Sequence, residues 1–275
     1  MVRRTTNTAF IYERGTMREI AIAAARAGGE ELRRRFGGRQ AVRHKGPVDL
    51  VTAADQAAEE AIVAVLRGTF PRHDILAEEA DHGRSDSSYR WIIDPLDGTT
   101  NFAHGFPWFA VSVALEVDGR VVLGVVYNPV SDELFVAQQG QGAFLNDIPL
   151  RVSETERLDE SLLATGFPYD RKESPLNNYD HFVHFQQAAQ ACRRAGAASL
   201  DLACVAAGRF DGYWEMKLKP WDVAAGQLLA TEAGGRVSDF AGGDFDIYGW
   251  QCLASNGRIH RAMQAVIESG GLPDS

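Results

Sequence analysis

Asp94 and Asp97 flank Pro95-Leu96, and Gly98, Thr99, Thr100, Asn101 and Phe102 follow at once. Two carboxylates, two hydroxyls and a turn glycine packed this closely can serve one chemistry. Carboxylate oxygens are the ligands that a hard cation such as Mg²⁺ takes, and the N–H groups at a helix start bind anions. Together they make a place for a metal and a phosphate side by side. An Asx-turn with Asp97 as a local cap explains the same residues without chemistry. Other acids sit at comparable places. Glu78-Glu79 follows the apolar run Ile75-Leu76-Ala77, Glu215 lies within Tyr213-Trp214-Glu215-Met216, and Asp222 follows Pro220-Trp221. Adjacent carboxylates repel unless a cation sits between them, although a solvated loop pair is the plainer reading of Glu78-Glu79.

The elements that must position these residues are read from periodicity. Tyr89 with Trp91, Ile92 and Ile93 predicts a buried strand. Because proline cannot donate into a sheet ladder, that strand is expected to stop at Asp94-Pro95. Asp97-Gly98 is then a turn, and Thr99-Thr100 can cap a short helix. Upstream, residues 16–36 predict an amphipathic helix with Met17, Ile20, Ala24, Ala27 and Leu32 near helical spacing, ended by Gly37-Gly38. Residues 42–51 form a short extended segment broken at Gly46-Pro47, with Asp49 a loop residue. A second helix starts at Thr52, and Asp55 three residues on resembles the far half of a capping box.

From residue 109 the texture becomes β-rich. Strands over 109–117, 120–127, 133–138 and 142–145 are separated by Asp118-Gly119, Asn128-Pro129 and Gly140, the pattern of an antiparallel meander. Residues 146–160 are a polar connection, 162–165 a strand, and 176–191 a helix. His181 and His184 on that helix have no carboxylate partner at helical spacing and are not read as ligands. Gly196-Ala197-Ala198-Ser199 puts small residues before a helix, which lets a ligand approach backbone N–H groups or simply allows close packing. Residues 211–217 predict a strand. Pro220 opens a helix that runs to 233, where Asp222 in the first turn also suits the helix dipole. Extended segments at 237–238 and 251–254 and a last helix over 258–268 finish the chain. No repeat or linker divides it, so residues 1–275 are expected to form one catalytic unit.

Composition narrows the partners. A net charge of −9 argues against a nucleic-acid footprint, which needs a basic face. No apolar run approaches the length of a membrane span. Arg3-Arg4 has no apolar stretch behind it, so no signal peptide is read there, and Glu13 weakens an organelle leader. Cys192, Cys204 and Cys252 are sparse, odd in number and without metal-type spacing, which suggests buried reduced thiols in a cytoplasmic protein.

At this point a resemblance enters. Asp94-Pro95-Leu96-Asp97-Gly98-Thr99-Thr100-Asn101-Phe102 resembles the signature of the inositol monophosphatase family, and Trp221-Asp222-Val223-Ala224-Ala225-Gly226 resembles that family's second, C-terminal signature. Agreement runs from about Pro47 to Asn256 and takes in Asp49 to Asp55, Glu78-Glu79, Arg193 to Leu202 and Tyr213-Trp214-Glu215-Met216. The resemblance implies an α+β fold, a layered α-β-α-β-α sandwich of the inositol monophosphatase / fructose-1,6-bisphosphatase type. It also implies a homodimer that hydrolyses phosphate monoesters with Mg²⁺, about two to three ions in a shared site, and that Li⁺ inhibits.

Carried over residue by residue, Glu78, Asp94 and the Leu96 carbonyl hold the first ion, and Asp94, Asp97 and Asp222 the second. Glu78 also reaches a weakly held third. Thr99, paired with Asp55 and assisted by Glu78, positions and deprotonates the attacking water, while Gly98 and Thr99 N–H groups hold the phosphate. Gly196, Ala197, Ala198, Ser199 and Glu215, with Asp97 and Asp222, read the hydroxyls of a phosphorylated polyol. Ala197 and Ser199 depart from the family's common Gly-Ser/Thr-Ala-Ala pattern, which bears on substrate preference. Inositol-1-phosphate is the expected substrate; fructose-1,6-bisphosphate, NADP, histidinol phosphate and nucleotide 3′-phosphates are served by the same fold. A rival from another class is a binding role with the transcription machinery, as some bacterial relatives have.

Overall fold

The computed structural model describes residues 7–37, 43–44, 50–51 and 53–269. Asp49 and Thr52 lie outside the described residues. In chain order the first elements are helix α1 (Asn7–Arg35), strands β1 (Arg43–His44) and β2 (Leu50–Val51), and helix α2 (Ala53–Thr69). Next come β3 (Asp74–Ala77), β4 (Tyr89–Asp97), the short helix α3 (Thr99–Ala103), and the meander β5 (Ala110–Val117), β6 (Arg120–Asn128), β7 (Glu133–Gln138), β8 (Gly142–Leu145) and β9 (Ile148–Pro149). After a 3₁₀ turn at Leu158–Glu160 follow β10 (Leu162–Thr165), α4 (Tyr179–Ala188), β11 (Ala191–Arg193), α5 (Ala198–Ala206) and β12 (Gly212–Met216). The chain closes with α6 (Pro220–Glu232), β13 (Arg236–Ser238), β14 (Gln251–Ser255) and α7 (His260–Ser269).

Two sheets result. The larger has seven strands in the order β3-β4-β5-β6-β7-β8-β9, and the smaller has five in the order β11-β10-β12-β14-β13. The meander is antiparallel as expected, but β3 runs parallel to β4 and β10 runs parallel to both its neighbours. Helices α1 and α2 cover the outer face of the large sheet, where Leu32, Ile62, Leu66, Trp91, Ile93 and Phe109 are fully buried. Helices α5 and α6 lie between the sheets. Helices α4 and α7 pack on the far face of the small sheet against Leu163, Trp214 and Leu253. The layering is therefore helix, sheet, helix, sheet, helix. Each fully buried large side chain in these layers contributes about 1.5–3 kcal/mol.

The middle layer explains a feature of the sequence. Helix α6 buries Val223, Ala224, Ala225, Gly226, Leu228, Leu229 and Ala230 in an almost unbroken run. A helix clamped between two sheets is apolar on every side and shows no single stripe.

Several expectations are corrected. Helix α1 begins at Asn7, not Thr16. The helix expected over 176–191 is confined to Tyr179–Ala188, and the residues after it form β11. The connection 146–160 contains β9 and the 3₁₀ turn. The three cysteines are buried and free, as expected; burial pushes the thiols of Cys192 and Cys204 up to about 12.

Candidate active site

The most instructive correction concerns Pro95. Strand β4 does not stop there but continues to Asp97. Asp94 stands opposite Ser112 and Asp97 opposite Ala110, so β4 takes three steps where β5 takes two. That is a β-bulge, and a bulge is where a strand tolerates proline. It also changes the chemistry. Residues three apart on a regular strand point to opposite faces; the extra residue restores the phase, and both carboxylates line the same cleft.

Parallel pairing brings in the next acid. Ala77 is opposite Ile93, so the following residue on each strand places Glu78 beside Asp94. The same logic repeats in the small sheet: Thr165 is opposite Trp214, which places Gly166 beside Glu215. A Cβ on Gly166 would lie 2.1 Å from either Glu215 carboxylate oxygen, so glycine there leaves room for the carboxylate. Asp222 arrives from the middle layer. Ser112, opposite Asp94, donates to the Trp221 carbonyl (3.3 Å), and the Lys219 N–H donates to the Asp222 carboxylate (2.6 Å) across the first turn of α6. Asp55 sits in the first turn of α2, buried.

Gly98 precedes α3 in the left-handed conformation, φ 95°, and no side chain caps that helix. The expectation that Thr99-Thr100 caps it is thus replaced: both are the first helical residues. The Thr99 hydroxyl donates to the Leu96 carbonyl (3.1 Å). Glycine is required at 98 because a Cβ would meet the Trp108 carbonyl at 2.9 Å, besides the positive φ.

Glu78, Asp94, Leu96, Asp97, Gly98, Thr99 and Asp222 line one cleft of about 300 Å³. Asp97, Gly98, Thr99, Gly196, Ala197, Ala198, Glu215 and Asp222 line an adjoining one of about 300 Å³. Tyr169 and Lys217 border both. Ser199 is buried just behind, donating its N–H (2.8 Å) and its hydroxyl (2.6 Å) to Asp97 Oδ2, while the Ala198 N–H donates to Asp97 Oδ1 (3.1 Å). The amides of Ala198 and Ser199 are therefore engaged with Asp97 in this structure.

Burial raises every one of the acid values that shifts here. It pushes Asp94 well above the usual carboxylate range, and the neighbouring charges of Glu78, Asp97, Asp222 and Asp55 push it further. Asp222 is raised well above that range by burial and by Glu78. Asp97 is raised by burial against the opposing pull of its Ser199 and Ala198 donors. Glu215 is pushed up to about 7 by burial, opposed by the Tyr213 hydroxyl, which donates to it (2.6 Å). Like charges crowded out of water are the condition a cation relieves, and an all-oxygen donor set suits a hard one. Among the described residues, no three or more histidine, cysteine, aspartate or glutamate side chains are gathered tightly enough to hold an ion as they stand. Asp94, Asp97 and Asp222 instead accept from backbone N–H groups of Leu96, Ala198, Ser199 and Lys219.

Two residues that hold the site together were not singled out from sequence. Ser112 is one. Asn101 is the other, its amide donating to the carbonyls of Trp108 (2.7 Å) and Ala195 (2.9 Å) and so tying α3 to the turn before α5. An amide three residues into a helix signals nothing by itself.

An acid-lined cleft between two sheets, beside a helix start, is the layout of a phosphoric monoester hydrolase. The chain belongs to the inositol monophosphatase family, whose profile matches residues 13–270. It is 45% identical to an Inositol-1-monophosphatase of Synechocystis over 92% of this chain and 88% of that protein. It is 46% identical to the Nus factor SuhB of Escherichia coli strain K12, over 90% of this chain and 94% of that one. The structure of inositol monophosphatase from Anabaena superposes with a TM-score of 0.86 at 44% identity, covering 95% of this chain and 98% of its own. The layered sandwich is shared. Relatives named as Nus factors bear on the expectation of no nucleic-acid partner. Among the described residues, no helix is long and apolar enough to cross a membrane.

Proposed function

We propose that this protein hydrolyses a phosphorylated polyol, with inositol-1-phosphate going to myo-inositol and phosphate, using Mg²⁺ in the acid-lined cleft. The observation that carries the reading is the convergence of Glu78, Asp94, Asp97 and Asp222 on one cleft beside the start of α3. The name of the Synechocystis relative supports the choice of substrate. Glu78, Asp94 and the Leu96 carbonyl would hold one cation, and Asp94, Asp97 and Asp222 a second, with Glu78 reaching a third. Bound there, Mg²⁺ supplies an acidified water and neutralises the entering and leaving oxygens.

The chain's own groups do the rest. Thr99 has one hydroxyl proton, held by the Leu96 carbonyl. Turned towards buried Asp55, the same hydroxyl would pass its proton to the Asp55 carboxylate while its oxygen accepts the proton of the attacking water, with Glu78 assisting as a second acceptor. The N–H groups of Gly98 and Thr99 hold phosphoryl oxygens. Glu215 accepts from vicinal hydroxyls of the polyol, and the Gly196-Ala197 backbone lines the same wall.

Asp97→Asn and Asp222→Asn are expected to lower kcat by about 10³-fold or more with the circular dichroism spectrum retained. Near-normal turnover in either variant refutes the site. A kcat/KM panel over inositol-1-phosphate, fructose-1,6-bisphosphate, NADP and histidinol phosphate tests the substrate. Inhibition by Li⁺, a homodimer, a cytoplasmic location and a single catalytic unit are part of the same proposal. Activity unchanged in millimolar LiCl, or a monomer in light scattering, removes the corresponding part.

A second reading is association with the transcription machinery, supported by the name of the Escherichia coli relative. Retention of purified bacterial RNA polymerase by the Asp97→Asn protein supports a role separate from hydrolysis, and no retention by either form removes it.

A further inference from the structure

Asp97 accepts three hydrogen bonds at its carboxylate, and two of them come from one residue. Ser199 is fully buried and directs both its N–H (2.8 Å) and its hydroxyl (2.6 Å) at Asp97 Oδ2. The Ala198 N–H reaches Oδ1 (3.1 Å). A carboxylate has about four lone-pair directions, two on each oxygen. Ser199 occupies both on Oδ2, and Ala198 one on Oδ1. With the Leu200 N–H also near the carboxylate, Oδ2 carries the two shortest bonds and Oδ1 the one longer one, so Oδ1 is the less heavily engaged oxygen.

We propose that the Ser199 hydroxyl is a positioning residue for metal binding: it holds Oδ2 of Asp97 against α5, so that Oδ1 is the oxygen that would face a cation. The proposal rests on the metal-dependent reading above and adds to it a residue that touches neither substrate nor ion. The geometry supports a task beyond packing. The backbone N–H alone would satisfy one site on Oδ2, and an alanine would fill nearly the same space. What the hydroxyl adds is a second bond to the same oxygen, which opposes rotation of the carboxylate about its Cβ–Cγ axis. Charge-assisted hydrogen bonds of this kind are about twice as strong as neutral ones. Partners that orient a ligating side chain in this way commonly change metal affinity by about 10–100-fold when removed.

The test is Mg²⁺ binding by titration calorimetry and Mn²⁺ binding by electron paramagnetic resonance, run beside steady-state kinetics on inositol-1-phosphate. Ser199→Ala is expected to weaken cation binding about tenfold and to raise by a similar factor the Mg²⁺ concentration that gives half-maximal rate. At saturating Mg²⁺ its KM for substrate should stay within about twofold of wild type, the split a merely loosened fold would not give. Ser199→Cys, of similar volume but a weak donor, should follow alanine, and Ser199→Thr should restore binding. Asp97→Asn is the control for the underlying reading. If Asp97→Asn abolishes cation binding while Ser199→Ala and Ser199→Cys bind like wild type, the role given to Ser199 is wrong and the metal site stands. If Asp97→Asn itself binds and turns over normally, the metal site fails and the proposal with it.

Discussion

The acids at the ends of β3 and β4 and the histidine beneath β13 and β14 are both ionisable groups taken out of water, and the fold treats them in opposite ways. His260 is 1% exposed, with Ser238 Oγ 2.9 Å from Nε2 and Ser255 Oγ 2.9 Å from Nδ1. Ser238 spends its own proton on the Asp239 carbonyl (2.6 Å), so it must accept from Nε2–H, and Nδ1 must accept from Ser255. Every proton has a place, and the ring is neutral. Around Asp94 the opposite holds. Glu78, Asp97, Asp222 and Asp55 all act to raise its carboxyl, beyond what burial does. A satisfied buried group serves stability; crowded like charges mark a candidate functional site.

Removing the crowding should therefore have the largest effect of any single change. Asp94→Asn keeps an oxygen for the Leu96 N–H, which Asp94 Oδ1 accepts at 3.0 Å, but removes the charge that the proposed function shares between two cations. A loss of about 10³-fold or more in kcat is expected. In EDTA the same variant should melt higher than wild type, because one of several mutually repelling charges is gone. The sign follows from linkage: a carboxyl raised in the fold binds more protons folded than unfolded, so the metal-free protein loses stability as pH rises from the ordinary carboxylate range through the raised values. Adding Mg²⁺ should raise the Tm of wild type by mass action and leave Asp94→Asn almost unmoved. A Tm in EDTA that falls on substitution breaks the contrast with His260.

Glu215 sits between these extremes. It is half-buried and its carboxyl is pushed up to about 7 by desolvation, yet a tyrosine hydroxyl satisfies one of its oxygens. Glu215→Gln still accepts from Tyr213 but offers the substrate a weaker acceptor. The expected loss is about 10–100-fold in kcat/KM on inositol-1-phosphate, mainly through KM. Turnover of a small aryl phosphate, which has no hydroxyls to read, should change by less than about threefold on the same grounds. Equal losses on both would place Glu215 among the groups that act on the phosphoryl centre.

How much of this was open to reading without coordinates depended on whether the cause was local. Asp94 to Phe102 and Trp221 to Gly226 each carry their chemistry within one turn or strand end, and both stood out. The meander declared itself through turn residues at Asp118-Gly119 and Asn128-Pro129. What did not show was register. Pro95 within a strand reads as a stop because its meaning depends on β5, where Ser112 and Ala110 show that an extra residue has been absorbed. The pairing of β3 with β4 that sets Glu78 beside Asp94 is likewise a property of two segments. The bracing roles of Asn101 and Ser112 were not legible for a related reason: their partners, the carbonyls of Trp108, Ala195 and Trp221, are backbone groups with no residue type to mark them. Strand β11 is three residues long and follows directly on a helical stretch, too short for alternation to register.

The smallest expected effect tests the quiet side of the comparison. Burial, with a lesser push from Arg236, lowers His260 from 6.5 to about 4. The unfolded chain therefore binds a proton that the folded one refuses, and the His260 contribution is whole above pH 6.5 and lost as pH falls towards 4. This runs against the metal-free carboxylates, which gain over the same descent, so the wild-type profile alone mixes two opposite slopes. Urea unfolding midpoints at pH 7 and pH 5, with EDTA, for wild type and His260→Gln separate them. Glutamine offers an N–H₂ where Nε2 donates and cannot take up a proton, and a lower midpoint at both values of pH leaves the test intact. Only the difference between the two pH values matters: wild type should lose more on acidification than His260→Gln does. Equal differences would mean that the ring already carries its proton in the fold, and Ser238 and Ser255 would then both have to accept from it, which the Ser255 hydroxyl could do only by finding its own proton another home.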